Sequence, residues 1–120
     1  MKVLALDYGA ARTGVAVSDP TGTLARPLCV FATRDGLAEL ARLIREQEAE
    51  RVVVGHPLTL RGERGEQAQE TERFVDALRE AIDVPVELYD ERFTTKLGGD
   101  DARAAAHLLS SYLEWTARTS

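Results

Sequence analysis

The N-terminal stretch up to Asp19 constrains the fold more than any other part of the chain. Met1-Lys2-Val3-Leu4-Ala5-Leu6 is a short, mostly apolar run, the pattern of a strand buried on both faces. Asp7 ends that run in front of Tyr8-Gly9, and Gly9 and Gly14 are expected to let the backbone turn tightly into a second strand, Val15 to Ser18. A carboxylate is thereby set at the rim of a sheet, where it can serve as a metal ligand or a general base. It can equally do no more than close a turn, since Asp and Gly are common turn residues. On this stretch alone both readings stand.

The remaining pattern extends the sheet. Asp19-Pro20-Thr21-Gly22 is a turn signal leading into a third strand, Leu24 to Phe31, in which Pro27 implies an edge position or a bulge. Asp35 and Gly36 open a helix with Leu37, Leu40, Leu43 and Ile44 on its apolar side. Arg51-Val52-Val53-Val54-Gly55 reads as a buried strand, and His56 to Gly62 as a loop. A second helix starts near Glu66, with Thr71, Phe74, Val75, Leu78 and Ile82 on its apolar stripe. Val84 to Tyr89 is the fifth strand. A last helix runs from Asp100 or Asp101 to about Trp115, with Ala105, Leu108, Leu109 and Tyr112 inward. Asp101 shares that inward face, an unusual place for a carboxylate unless it is paired or binds a metal. The order βββαβαβα predicts an α/β fold with a mixed five-stranded sheet flanked by helices, in one domain over 1–120.

Composition narrows the class. A chain of 120 residues with 44% hydrophobic content suits one self-sufficient core. No apolar run approaches a membrane span and no charged-then-apolar leader precedes the first strand, so a cytoplasmic protein without membrane contact is expected. The lone Cys29 is expected to be a buried strand residue. The net charge of −5 lowers the expectation of a nucleic-acid partner without excluding one, because much of the acid lies in the helical segments 39–50 and 63–80.

The βα connections bring the C-terminal ends of strands one, four and five to one edge, the edge that carries ligands in open α/β sheets. Asp7, Gly55-His56-Pro57 and Asp90-Glu91-Arg92 end those strands, and the last helix can add Asp101. Converging carboxylates need a cation or a proton between them, and oxygen-only ligands favour Mg²⁺ or Mn²⁺. Two such ions about 4 Å apart can support phosphodiester hydrolysis. Alternation along the fifth strand turns Asp90 and Glu91 to opposite faces, so only one of them faces such ions directly.

In this order and spacing the motifs resemble the YqgF/RuvX family of RNase H-like proteins, to which Holliday-junction resolution and 5′-end maturation of the 16S ribosomal RNA precursor are ascribed. The resemblance rests on Asp7-Tyr8-Gly9 with Arg12 and Gly14 to Pro20, on Val53-Val54-Gly55 with Pro57-Leu58 and Gly62, on Asp90-Glu91-Arg92-Phe93-Thr94-Thr95, and on Asp101 with Ala104-Ala105, Leu109 and Tyr112-Leu113. It implies that Asp7, Glu91 and Asp101 are catalytic metal ligands. Arg12, Arg92, Thr94 and Thr95 would contact phosphate next to the scissile bond, with Lys96 alongside. Arg61 and Arg64 would track the nucleic-acid backbone further out, or are ordinary solvated arginines. Junction resolution would call for a homodimer, because two strands must be cut symmetrically.

Two departures from the family pattern stand out. His56 occupies a usually apolar position, where it could touch a phosphate or a metal-bound water, or be a tolerated surface substitution. His107, on the last helix, reads as a packing residue. The longer basic segment that family members carry before the last helix is reduced here to Lys96-Leu97-Gly98-Gly99-Asp100, which would weaken substrate affinity as salt rises. The expectation is therefore a metal-dependent nuclease on rRNA precursor or branched DNA. The alternative is a nucleic-acid-binding module with weak or lost catalysis. A fragment of an actin-like nucleotide binder ranks last, because the chain is too short for a second lobe and has no Walker-type loop.

Overall fold

The computed structural model describes residues 1–91 and 102–119. Five strands form one sheet in the order β3-β2-β1-β4-β5: β1 (Val3–Asp7), β2 (Arg12–Ser18), β3 (Ala25–Ala32), β4 (Arg51–His56) and β5 (Val86–Asp90). β1 pairs antiparallel with β2 and parallel with β4, and β4 pairs parallel with β5, so the sheet is mixed. Three helices complete it: α1 (Gly36–Gln47), α2 (Glu66–Ala81) and α3 (Ala102–Thr119).

The contiguous apolar runs of β1 and β4 are explained by helices on both faces. Leu4, Leu6, Val15, Val17, Val52 and Val54 pack against Leu40 and Leu43 of α1 and Val75 and Leu78 of α2. Val3, Ala5, Ala16 and Val53 pack instead against Ala105, Leu108, Leu109, Tyr112 and Leu113 of α3. Full burial of one such Leu contributes about 1.5–3 kcal/mol.

α3 runs antiparallel to β1. Leu108 lies against Gly55 at the C-terminal end of β4, whereas the Tyr112 hydroxyl meets Arg51 and Glu87 near the strand starts. That hydroxyl donates to Glu87 Oε1 at 2.8 Å and accepts from Arg51 Nη1 at 2.9 Å. Burial is the main reason its pKa is raised.

Pro27 satisfies both sequence expectations. β3 is an edge strand, and its ladder to β2 steps from Val15↔Cys29 to Ala16↔Pro27, leaving Leu28 as the extra residue of a bulge. Cys29 is half-buried rather than buried, because its strand forms the edge of the sheet.

Four further expectations are revised. Neither Gly9 nor Gly14 takes a positive φ; among the described glycines that conformation belongs to Gly22 and Gly62. The return from β1 is a wider loop, Tyr8 to Ala11, and Gly14 is a strand residue opposite Asp7. Leu37 is exposed, because α1 turns Gly36 inward, where a Cβ would stand 3.1 Å from the Phe74 ring. β4 continues through His56, which pairs with Asp90. α3 passes Trp115 to Thr119, since no Gly or Pro interrupts it.

Candidate active site

Strand alternation gathers one set of side chains at the C-terminal edge of β1, β4 and β5, on the face covered by α3. Asp7 continues the Val3, Ala5 series of β1, Gly55 follows Val53, Glu91 follows Tyr89, and Gly14 and Arg12 follow Ala16. Asp7 pairs with Gly14, and the Leu6↔Val54 register brings Gly55 alongside it on the other side. Asp7 therefore stands between two glycines, and both neighbouring strands leave open room around its carboxylate.

Glu91 fills part of that room. A Cβ added at Gly55 would lie 2.6 Å from Glu91 Oε2, 2.8 Å from its carboxyl carbon and 3.1 Å from Leu108 Cδ2. The Glu91 side chain is thus laid back over Gly55, the residue next to Asp7, while its backbone N–H donates to the His56 carbonyl at 3.3 Å. Asp7 is 4% and Glu91 7% exposed, and neither lacks interaction partners. Asp90, on the opposite face, is exposed. Of the two acids that end β5, Glu91 is the one turned in.

Two buried carboxylates, at the ends of β1 and β5 with β4 between them, offer only oxygen donors, a chemistry that suits a hard divalent cation. Among the described residues no group of three potential ligands occurs, and Asp101, the third acid expected from the sequence, lies outside those residues. Arg92, Thr94, Thr95 and Lys96 lie outside them as well. The first turn of α3, from Ala102, sits at the same edge as Asp7 and Glu91.

Arg12 begins β2 at this rim, paired with Ala32, and is exposed; no hydrogen bond or ion pair engages its guanidinium among the described residues. The loop before it is fixed from below. Thr33 Oγ1 donates to the Gly9 carbonyl at 2.6 Å and lies 2.8 Å from Thr13 Oγ1, and the Thr33 N–H donates to the Ala11 carbonyl. Arg61 is exposed in the loop after β4, beside Gly62, whose N–H donates to the Thr59 carbonyl.

Arg64 and His56 both engage one carboxylate, that of Glu72. Arg64 grips the Glu72 carboxylate with its Nε and Nη2, and His56 Nε2 lies 2.7 Å from Glu72 Oε2. Hydrogen bonds from Arg64 first, then His56, hold the Glu72 pKa down at about 2. This cluster fastens the loop to α2, on the face away from Asp7. A pair such as His56–Glu72 has no local sequence signature; Gly55 and Gly14 do, because glycine inside a strand marks close approach by another group.

The comparisons with known proteins agree with this architecture. The solved structure of Thermus thermophilus RuvC superposes with a TM-score of 0.65 over 99% of this chain and 98% of its own, at 19% identity. RuvC in complex with a Holliday junction substrate gives 0.64. The fold is therefore the RNase H-like fold of RuvC. A Chloroflexus aurantiacus protein named "Putative pre-16S rRNA nuclease" is 47% identical over 96 residues, covering 78% of this chain and 63% of the relative. A Rubrobacter xylanophilus protein of the same name is 44% identical over 128 residues, covering 94% of this chain and 92% of its own. The family model described as "RuvX: Holliday junction resolvase" matches residues 1–115, and with that extent of match the chain belongs to the RuvX family.

Proposed function

We propose that this chain is a divalent-metal-dependent, cytoplasmic nuclease that hydrolyses phosphodiester bonds, with the 5′ end of a 16S rRNA precursor as its substrate. The observation that carries the reading is the Glu91 carboxylate seated over Gly55 beside Asp7. The names of the curated relatives support the RNA substrate.

Asp7 and Glu91, with Asp101 as third acid, would hold Mg²⁺ or Mn²⁺, as a pair of ions. When bound, such ions lower the pKa of a water and stabilise the leaving oxygen of a phosphodiester. The chain's own residues supply position. Arg12 stands at the rim as a guanidinium for a phosphate oxygen, and Arg92, Thr94, Thr95 and Lys96 are assigned to the neighbouring phosphates. Arg61 is assigned to the backbone further out, and Arg64 to holding the loop that carries it. Gly55 brings no side chain of its own between β1 and β5, and the Glu91 carboxylate occupies that space.

The test is cleavage of precursor-like RNA, single-stranded RNA and a four-way DNA junction in Mn²⁺ or EDTA, with Asp7→Asn alongside. Cutting of the RNA that needs metal and is lost in Asp7→Asn is the expected result. Preference for the junction, together with a dimer in solution, would replace RNA processing by junction resolution. Binding without cutting of any substrate would leave a binding module, the reading favoured by the short segment 96–100.

A further inference from the structure

Trp115 is the chain's single tryptophan and is 45% exposed, yet its ring is held from beneath. Its centroid lies 5.7 Å from that of Tyr89 and 6.0 Å from that of Tyr112, and those two rings meet edge to face at 5.5 Å. The Tyr89 hydroxyl lies 2.9 Å from Ser111 Oγ, and the Tyr112 hydroxyl is fixed by Glu87 and Arg51. The Trp115 ring thus rests at a tilt of 44° and 48° against two anchored tyrosine rings, with nearly half of the residue exposed to solvent.

Its surroundings suit a nucleic-acid strand. α3 packs across β1, β2 and β3, and reaches β5 through Ser111, Tyr112 and Trp115, which meet Glu87 and Tyr89. Arg103, His107, Ser111 and Trp115 recur every fourth residue on α3 and so form one stripe. The stripe begins at the edge that holds Asp7 and Glu91. From Leu108, level with Gly55, to Trp115 the helix rises about 10 Å, the length of about three nucleotides of a stacked strand. Glu87, the acid beneath this shelf, is neutralised by Arg51 at 3.2 Å.

We infer that Trp115 is a stacking platform for an unpaired base of nucleic acid lying along α3, about three nucleotides from the cleavage point. The inference rests on the nuclease reading for what occupies the edge. Stacking on an aromatic plate needs no particular base, so the platform grips a single-stranded flank irrespective of sequence.

The lone tryptophan is its own reporter. A 12-nucleotide oligouridylate titrated in EDTA should quench the emission saturably, EDTA excluding metal-dependent cleavage as the cause. By anisotropy of a labelled copy of the same oligonucleotide, Trp115→Leu should bind about tenfold more weakly and Trp115→Phe within about threefold of wild type. Thermal midpoints of both variants separate lost stacking from lost folding. Binding with unchanged emission and wild-type affinity in Trp115→Leu would refute the platform and leave the nuclease reading intact. Absence of binding by any oligonucleotide, precursor-like RNA included, would overturn both. An emission shift with protein concentration alone would assign the plate to contact between copies of this chain and overturn the inference.

Discussion

Replacing Gly55 by alanine tests the seat of Glu91 with a single carbon. The new Cβ would stand 2.6 Å from Glu91 Oε2, and ordinary contact begins at 3.4 Å, so the carboxylate must retreat by about 0.8 Å. The obstructing atoms are the far end of a flexible side chain, so the fold can yield. Leu108 Cδ2, at 3.1 Å, must also give by a few tenths of an ångström. Crowding of this kind costs about 1–3 kcal/mol, and loss of a glycine from the unfolded chain returns about 0.4–1 kcal/mol. Net destabilisation should therefore stay near about 1 kcal/mol by urea titration. Misplacement of a catalytic group by about 1 Å can lower a rate about 100-fold, and Gly55→Ala should approach that loss in single-turnover cleavage with Mn²⁺. Calorimetric Mn²⁺ titration gives a second readout, in which weakened binding should parallel Glu91→Gln. Wild-type cleavage and Mn²⁺ affinity in Gly55→Ala, with both lost in Glu91→Gln, would show that Glu91 matters without needing this seat.

Three further perturbations follow from the structure. Glu48 caps α1 in the left-handed region at φ 55°, so Glu48→Gly should raise stability by about 1 kcal/mol, and an unchanged or lower urea midpoint would contradict that strain. Buried Ser18 Oγ accepts the Val3 N–H at 2.8 Å; Ser18→Ala orphans that donor and should cost about 1–3 kcal/mol in urea, and a cost near zero would mean that water replaces the hydroxyl. Glu72 and Asp19 are both held at about 2, Glu72 by Arg64 and then His56, Asp19 by the Thr21 hydroxyl and then the N–H groups of Leu24 and Thr23. Folded pKa values below the unfolded ones mean a contribution complete above about pH 4.5 and lost as pH falls toward about 2. Thermal midpoints over that window should fall more steeply for wild type than for Glu72→Gln, and equal slopes would remove Glu72 from the account.

The sequence was most legible where one physical cause acts alone. Val52-Val53-Val54 announces a strand covered on both faces, and Leu40, Leu43, Val75 and Leu78 keep helical spacing because the same stripes meet the sheet. Leu37 keeps that spacing too, yet is exposed, since the close approach of Phe74 to Gly36 sets the rotation of α1. Alternation predicted that Asp90 and Glu91 part company; choosing between them needed the α3 face, which Tyr89 shares and which local sequence does not identify. The hold of Glu72 on His56 and Arg64 was invisible because it joins residues brought together only by the β4–α2 crossover.

The tie between the Tyr112 hydroxyl, Arg51 and Glu87 lies at the opposite end of β4 and β5 from the acids, about 15 Å along α3 from Ala102. A helix of this length is stiff against compression along its axis, so a displacement at one end is delivered undiminished to the other. The tie therefore acts as a ruler's zero mark, against which the height of the first turn of α3 above the sheet edge is set. The position of α3 over the sheet edge is in this way tied to three polar groups at the opposite ends of the strands.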